Sequence, residues 1–331
     1  MTYRSSALFL ALMVSLSAAS FSQTQNEWSG DRFLATYNRT VPLGPELFLR
    51  KQVNEVSLVV SVTDKKGHFI SGLSPDKFSV FDNNQQERNF TFFQNQTDLP
   101  LDIAIVLDTS ESVTARYEAE RNSITQFIQQ TIKHADSAVL FAFNDAVRVI
   151  APINYNWRNL SKRLKHIKPQ GNTALYDAVT SAAERLSDND RPARRIIIVV
   201  SDGEENQSRG TLDETIAAVT KAEAVVYSVN DGDDVDTDPG KQGETVLTAL
   251  AQSTGGAYFH ASEDGEIGSA FSKIRKELRS QYALAYKPSD LSVPGFHALK
   301  VLVGNLKVRC RRGYYVEQGL NQAIVSNARV R

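Results

Sequence analysis

The feature that most constrains the fold is a change of pattern at Leu101, after which short apolar segments alternate with helical patterns. Ile103–Leu107 is continuously apolar, which is typical of a strand buried on both faces of a sheet. Strands separated by helices imply parallel pairing with right-handed crossovers. The sequence therefore predicts an α/β fold, a doubly wound, mostly parallel, Rossmann-like sheet with helices on both faces, spanning residues 99–281.

The segments on either side of this region have a different pattern. Residues 53–98 alternate apolar and polar positions around polar turns, and residues 282–317 contain further short strand patterns. Each segment alone offers too little apolar area to fold independently. We therefore expect 53–98 and 282–317 to pack together as one small β-rich domain, with an aromatic face formed by Phe78, Phe90 and Phe92.

Both termini are expected to lie outside these domains. Arg4, an apolar run and small residues before Gln23 are typical of a signal peptide over residues 1–22, and this predicts export to the periplasm or the cell exterior. Residues 23–52 are expected to be an extended lead-in, and residues 318–331 a tail. No later segment has the length and apolarity of a membrane-spanning helix.

Charge and cysteine content exclude some classes of protein. The net charge is −1, so the chain lacks the basic excess that nucleic-acid binding requires, and no nucleic-acid partner is expected. One cysteine, Cys310, cannot form an internal disulfide and is expected to point inward. The neighbouring Arg309, Arg311 and Arg312 are expected to form a solvated face.

Polar residues follow the predicted strands at one edge of the sheet. Asp108, Ser110 and Ser112 come directly after Ile103–Leu107, Thr173 precedes a helix, and Asp202 follows another apolar strand. Ligands bind at this carboxyl edge in open α/β sheets, where the three loops can converge. Their all-oxygen chemistry suits Mg²⁺, with Mn²⁺ or Ca²⁺ as alternatives, better than zinc. A lone Asp-x-Ser-x-Ser could instead simply cap a helix.

These five residues resemble the metal-ion-dependent adhesion site of the von Willebrand factor A family. The family pattern is Asp-x-Ser-x-Ser, then a Thr, then an Asp, and Glu111 departs from the usual small residue between the serines. The resemblance implies that the two serines ligate the ion directly, that Thr173 does so in some states, and that Asp108 and Asp202 act largely through water. It also implies an open position for a carboxylate of the ligand.

Segments outside the site extend the resemblance to exported proteins called von Willebrand factor A-related in Acidobacteria. These segments are Val62–Gly67, Gly72–Leu73 with Asp76–Phe78, Leu99–Leu101, Tyr282–Tyr286, Phe296–Val301 and Arg312–Tyr315. Together with the site they cover about residues 53–317. The resemblance gives the architecture and little of the biology.

The function expected from the sequence is noncatalytic recognition of a protein partner that offers an Asp or Glu carboxylate. One alternative is a metal-dependent hydrolase, although no general base can be named apart from the metal-orienting carboxylates. Another is a scaffold that assembles through strand edges. The acidic run 231–238 could hold a second ion, but its spacing is more typical of a solvated loop.

Overall fold

The computed structural model describes residues 39–43, 47–51, 55–95, 99–152, 157–189, 191, 193–232, 238–263, 265–291 and 294–316. The signal-peptide region, the start of the lead-in and the tail lie outside these residues. Within them, no helix is long and apolar enough to cross a membrane.

Sixteen strands and six α-helices are described. The strands are β1 Arg39–Leu43, β2 Leu47–Lys51, β3 Val56–Thr63, β4 Ser79–Asp82, β5 Gln85–Glu87, β6 Phe90–Asn95, β7 Leu101–Asp108, β8 Ser137–Phe143, β9 Val147–Ala151, β10 Arg194–Val200, β11 Ala224–Asn230, β12 Tyr258–His260, β13 Tyr282–Tyr286, β14 Gly295–Leu302, β15 Lys307–Arg309 and β16 Gly313–Val316. The helices are α1 Tyr117–Thr131, α2 Leu160–Lys165, α3 Leu175–Ser187, α4 Leu212–Lys221, α5 Asp238–Thr254 and α6 Glu266–Leu278.

The central sheet has six strands in the order β12-β11-β10-β7-β8-β9. All neighbours pair in parallel except β8 and β9, which are antiparallel. Every residue of β7 and β10 is buried, because helices cover both faces. The predicted fold class is confirmed.

Side chains of β7 alternate between two apolar cores. Ile103 and Ile105 pack on one side with α1 and α6, while Ala104 and Val106 pack on the other with α3, α4 and α5. This alternation follows from the two-residue period of a strand. Because helices cover both faces of the sheet, its accessible polar surfaces lie at the two ends of the strands.

The flanking segments form two four-stranded sheets, ordered β15-β3-β13-β6 and β16-β14-β4-β5. Strand β13 lies between β3 and β6, and β14 pairs with β4, so both segments contribute to each sheet. A third apolar core, which includes Phe78, lies between them. We call this part the β unit.

The aromatic face of the β unit differs from the prediction. Phe93, rather than Phe92, packs with Phe78 and Phe90 against the third core. Its ring centroid lies 5.1 Å from that of Phe78. Strict alternation would put Phe90 and Phe93 on opposite faces, but the register of β6 against β13 shifts between Ala285 and Tyr286, and this irregularity turns both rings inward.

Several predicted elements are corrected. The lead-in contains the antiparallel pair β1 and β2. Helix α1 begins at Tyr117, because the residues before it form a turn in which the Thr114 hydroxyl donates to the Glu111 carbonyl. Helix α5 begins at Asp238, inside the acidic run 231–238. Strands β9 and β12 and helix α2 were not predicted, because their patterns are too short to show a clear period.

Arginines near the chain's end tie the β unit to the α/β domain, which corrects the expectation of a solvated face. Arg309 pairs with the buried Glu277 of α6, and Arg311 pairs with Glu223 after α4 at 3.3 Å. Only Arg312 is exposed. Cys310 packs against the core of the β unit, and burial raises the pKa of its thiol to about 11.

Candidate functional site

The site begins where β7 ends, at Asp108. Its carboxylate is fully buried and accepts two hydrogen bonds, from the Ser110 backbone N–H at 2.8 Å and from the Ser201 hydroxyl at 2.6 Å. The first bond shapes the loop 108–112, and the second joins it to the loop after β10. Both donors are neutral, so neither compensates the charge of the carboxylate.

Two hydroxyl groups lie next to each other in the same loop. The Oγ atoms of Ser110 and Ser112 are 3.1 Å apart. Ser110 is buried, whereas Ser112 and Glu111 are exposed, in agreement with an outward-pointing Glu111. Two neighbouring hydroxyl oxygens that lie beside a buried carboxylate are suitable ligands for a hard cation.

Thr173 reaches this edge through a loop that is hydrogen-bonded to the first. The Glu111 N–H donates to the Gly171 carbonyl at 3.2 Å, and the Gln170 N–H donates to the Thr109 carbonyl at 2.9 Å. Gly171 has a φ of +83°, and a Cβ there would lie 2.2 Å from the Asp145 carboxylate. The positive φ favours glycine at this position, where the chain also passes close to the Asp145 side chain. Thr173 itself is buried, and its N–H donates to Asn206 Oδ1 at 2.9 Å.

Asp202 adds a second carboxylate from the end of β10. It is 9% exposed, and its Oδ1 accepts from the Glu204 N–H at 3.1 Å. Burial raises the pKa of Asp108 to about 7, the hydrogen bond from Ser201 opposes this, and repulsion by Asp202 adds to it. Asp108 and Asp202 are therefore two buried carboxylates that lie close enough to repel each other.

This arrangement fits a divalent cation. A buried carboxylate whose charged form is destabilised by burial and by a second carboxylate gains most from a cation, which restores the charged form. No set of three or more His, Cys, Asp or Glu side chains able to hold a metal occurs among the described residues. The candidate ligands are instead two carboxylates and three hydroxyls, and the ligand set of Asp108, Ser110, Ser112, Thr173 and Asp202 stays a prediction.

Comparison with known protein families agrees with the α/β fold described above. Residues 103–205 match the von Willebrand factor type A domain, and this range includes all five predicted site residues. The chain therefore contains a von Willebrand factor type A domain. No curated protein matches the chain by sequence.

Solved structures of similar fold include two from bacterial proteins. An aerotolerance-related membrane protein from Bacteroides fragilis is 20% identical over 54% of this chain and 98% of its own, with a TM-score of 0.44. The von Willebrand factor domain of the pilus tip protein Mfa5 from Porphyromonas gingivalis is 11% identical over 54% of this chain and 95% of its own, with a TM-score of 0.45. Values this low support no functional inference.

A third similar structure is proximal thread matrix protein 1 from the mussel byssus, with a zinc-occupied MIDAS motif. It is 17% identical over 57% of this chain, with a TM-score of 0.45, and the chain spans about half of its length, 48%. The metal is a property of that protein.

The structure also reveals an acidic pair behind the site in this von Willebrand factor type A domain. Glu120 of α1 and Asp231 after β11 are fully buried, and no donor group of another described residue hydrogen-bonds to their four carboxylate oxygens. Arg116 Nε lies 3.9 Å from Asp231 Oδ2. Burial and the neighbouring Asp231 raise the pKa of Glu120 well above its usual value, which favours the protonated form of this carboxyl group.

The sequence pattern predicted a solvated loop for Asp231 and gave no prediction for Glu120. Asp231 is buried and does not belong to a solvated loop, while residues 233–237 of the same acidic run lie outside the described residues. Glu120 is four residues before the buried Ile124 and eight before the buried Ile128, which places it on the apolar face of α1. A carboxylate on that face is the signal that could have identified it.

Proposed function

We propose that this domain recognises a protein partner through a divalent cation held at the carboxyl edge of its sheet. The observation that carries the proposal is the buried pair of repelling carboxylates, Asp108 and Asp202, beside the adjacent hydroxyls of Ser110 and Ser112. Such a site is incomplete without a cation, and the exposed Ser112 marks its open side.

Each residue has a distinct proposed role. Ser110, Ser112 and Thr173 would supply hydroxyl oxygens to the cation, and Asp108 and Asp202 would supply the balancing charge and orient water. Bound there, Mg²⁺ or another hard divalent ion would provide a positive centre for an Asp or Glu carboxylate of the partner. Fixed hydrogen bonds from Ser201 and from the Ser110 backbone hold Asp108 in place for this role.

The first experiment measures metal binding by calorimetry with Mg²⁺, Mn²⁺, Ca²⁺ and Zn²⁺. We expect one principal site that prefers the hard ions, and loss of binding by at least about 100-fold in Asp108→Ala, because the variant lacks both the balancing charge and the hydrogen bond that shapes the loop 108–112. Asp188→Ala is the control, since that carboxylate is 69% exposed and outside the site. Equal affinity in Asp108→Ala and wild type would contradict the proposal.

The second experiment tests the noncatalytic, partner-binding role and the location. Capture of a specific envelope protein by the immobilised chain should require the divalent ion, be reversed by chelator and fail with Asp108→Ala as bait. Removing the partner's critical carboxylate should abolish capture. Fractionation with N-terminal sequencing should find the chain processed near Gln23 and outside the cytoplasm. Metal-dependent hydrolysis of a bound partner would instead favour an enzyme.

A further inference from the structure

Helix α5 contains a glycine that touches the backbone of the candidate cation site. Gly243 lies in the second turn of α5 and is buried. A Cβ at this position would lie 2.3 Å from the Asp202 carbonyl oxygen and 3.1 Å from the Gly203 carbonyl carbon. Real Cβ atoms essentially never come closer than 3.0 Å to another heavy atom, so a side chain on residue 243 would force the two backbones apart.

The loop after β10 also has a glycine at this contact. A Cβ on Gly203 would lie 2.5 Å from the Gly243 carbonyl oxygen. Gly203 has a φ of +81°, which favours glycine whatever the space around it. Gly243, by contrast, lies within a helix, where glycine is less favourable than alanine. The close contact is therefore the reason for glycine at a position that helix propensity alone would not select.

The peptide unit between Asp202 and Gly203 begins a chain of hydrogen bonds that ends at Asp108. Its N–H donates to Ser201 Oγ at 3.0 Å, and the Ser201 hydroxyl donates to Asp108 Oδ2 at 2.6 Å. Its carbonyl oxygen is the atom that a side chain on Gly243 would meet first. Because a peptide unit is planar, displacing the oxygen also moves the N–H. A shift of this peptide therefore affects Asp202 directly and Asp108 through Ser201.

Helix α5 is held in place by the apolar core that it shares with α3 and α4. Its Val246, Leu247 and Leu250 are buried in that core. Residues 201–211, which follow β10, form neither strand nor helix. Moving a packed helix opens voids among several side chains, whereas a loop can shift without doing so. A methyl group on residue 243 should therefore displace the Asp202–Gly203 peptide rather than α5.

We propose that Gly243 is a positioning residue of the cation site. It lets α5 pack directly against the Asp202–Gly203 peptide. The peptide in turn fixes the Asp202 carboxylate and the Ser201 hydroxyl that orients Asp108. This role rests on the proposed function, because it concerns the same ion, but it belongs to a helix that contributes none of the five candidate ligands.

The test compares Gly243→Ala with Gly268→Ala in the full mature chain, with Mg²⁺ as the titrant in calorimetry. We expect Gly243→Ala to raise the dissociation constant for Mg²⁺ about tenfold, as is usual when a group that orients a metal ligand is disturbed. Gly268→Ala is the matched control, because it makes the same change in α6, where among the described residues the new Cβ would meet only Ser123 Oγ, at 4.0 Å. It should bind Mg²⁺ as wild type does.

Thermal unfolding of the metal-free variants separates positioning from packing. A lower unfolding midpoint together with wild-type Mg²⁺ affinity in Gly243→Ala would show that this glycine serves packing only, and would overturn the inference. A wild-type protein that binds no divalent ion would instead overturn the proposed function, and this role with it.

Ser201→Ala tests the hydrogen-bond chain whether or not Gly243→Ala folds. It removes the hydroxyl between the Gly203 N–H and Asp108, and it should weaken Mg²⁺ binding about tenfold. In the double variant, Gly243→Ala should add less than its effect in the wild-type background, because the chain is already broken. Unchanged affinity in Ser201→Ala, or fully additive losses in the double variant, would contradict the role proposed for Gly243.

Discussion

The carboxyl end of the parallel sheet carries carboxylates and the amino end carries arginines, and the two sets of charges are compensated in different ways. At the carboxyl end, Asp108 and Asp202 accept hydrogen bonds from neutral groups. At the amino end, arginines meet carboxylates, as in the pairs of Arg191 with Asp102 and Arg311 with Glu223. At the carboxyl end the chain supplies no cationic partner for these carboxylates, and we propose that a bound cation does so, whereas the amino end is largely stabilised by groups of the chain itself.

The largest expected effect comes from the amino end. Glu277 is buried and accepts hydrogen bonds from Ser61 Oγ at 2.7 Å and from Tyr227 at 3.0 Å, and it pairs with Arg309. Glu277→Ala should lower the free energy of unfolding by about 3–5 kcal/mol, because Arg309 loses its carboxylate partner and the hydroxyls of Ser61 and Tyr227 lose the acceptor of their hydrogen bonds. Denaturant titration measures this loss.

The matched control for this change is Glu118→Ala on α1, whose side chain is 81% exposed. It should change stability by less than about 0.5 kcal/mol. If Glu277→Ala folds, its Mg²⁺ affinity should equal that of wild type, because the junction and the cation site lie at opposite ends. A parallel loss of metal affinity would contradict this separation.

The next effect is the pH dependence of the metal-free protein. The pKa of Asp108 is about 7 in the folded state against an ordinary value of 3.8, so folding favours its protonated form. Its contribution to stability is complete below pH 4 and is lost as pH rises to about 7. The metal-free protein should therefore lose about 3 kcal/mol from this group between pH 5 and pH 8.

Two comparisons isolate the carboxylate responsible. Saturating Mg²⁺ should remove most of the loss at pH 8, since the cation stabilises the charged form. Asp108→Asn should abolish this part of the pH dependence in metal-free protein. An unchanged pH profile in Asp108→Asn would show that Asp108 does not cause it.

A smaller effect is expected from the acidic pair behind the site. Glu120→Gln keeps the shape of the side chain and lets an amide N–H donate to Asp231, which no longer needs a shared proton. Stability at pH 8 should rise by about 1 kcal/mol, with a smaller gain at pH 5. Glu118→Gln is the exposed control. A loss of stability in Glu120→Gln at pH 8 would indicate that the charge of Glu120 is needed.

The smallest expected effect comes from a helix cap that lies near the proposed cation site but outside it. Thr211 caps α4, and its hydroxyl accepts from the Glu214 N–H at 3.3 Å while Glu214 bonds back to the Thr211 N–H. Thr211→Ala should cost about 1 kcal/mol through loss of this capping box. Its Mg²⁺ affinity should be unchanged, although α4 follows the same strand end as Asp202. Calorimetry that shows weaker binding would extend the site into α4.

Long, strongly patterned segments were the part of the fold that the sequence predicted well. Ile103–Leu107 identified β7, and the alternation of strands and helices predicted the parallel sheet that the structure confirms. Short edge strands such as β9 and β12 were missed, since a few residues cannot establish a period. Phe92 was wrongly chosen over Phe93, because the irregular pairing of β6 and β13 cannot be read from alternation alone.

By itself, the sequence determined the alternation of the long strands and helices. It also placed Asp108, Ser110, Ser112, Thr173 and Asp202 on loops of one sheet edge, because parallel strands bring their carboxyl ends together. Only the tertiary structure decided which charges are buried. Glu120, Asp231 and Glu277 come from separate elements, and their environments depend on contacts between residues distant in the chain. The contact of Gly243 with the Asp202–Gly203 peptide arises in the same way, where α5 meets the loop after β10.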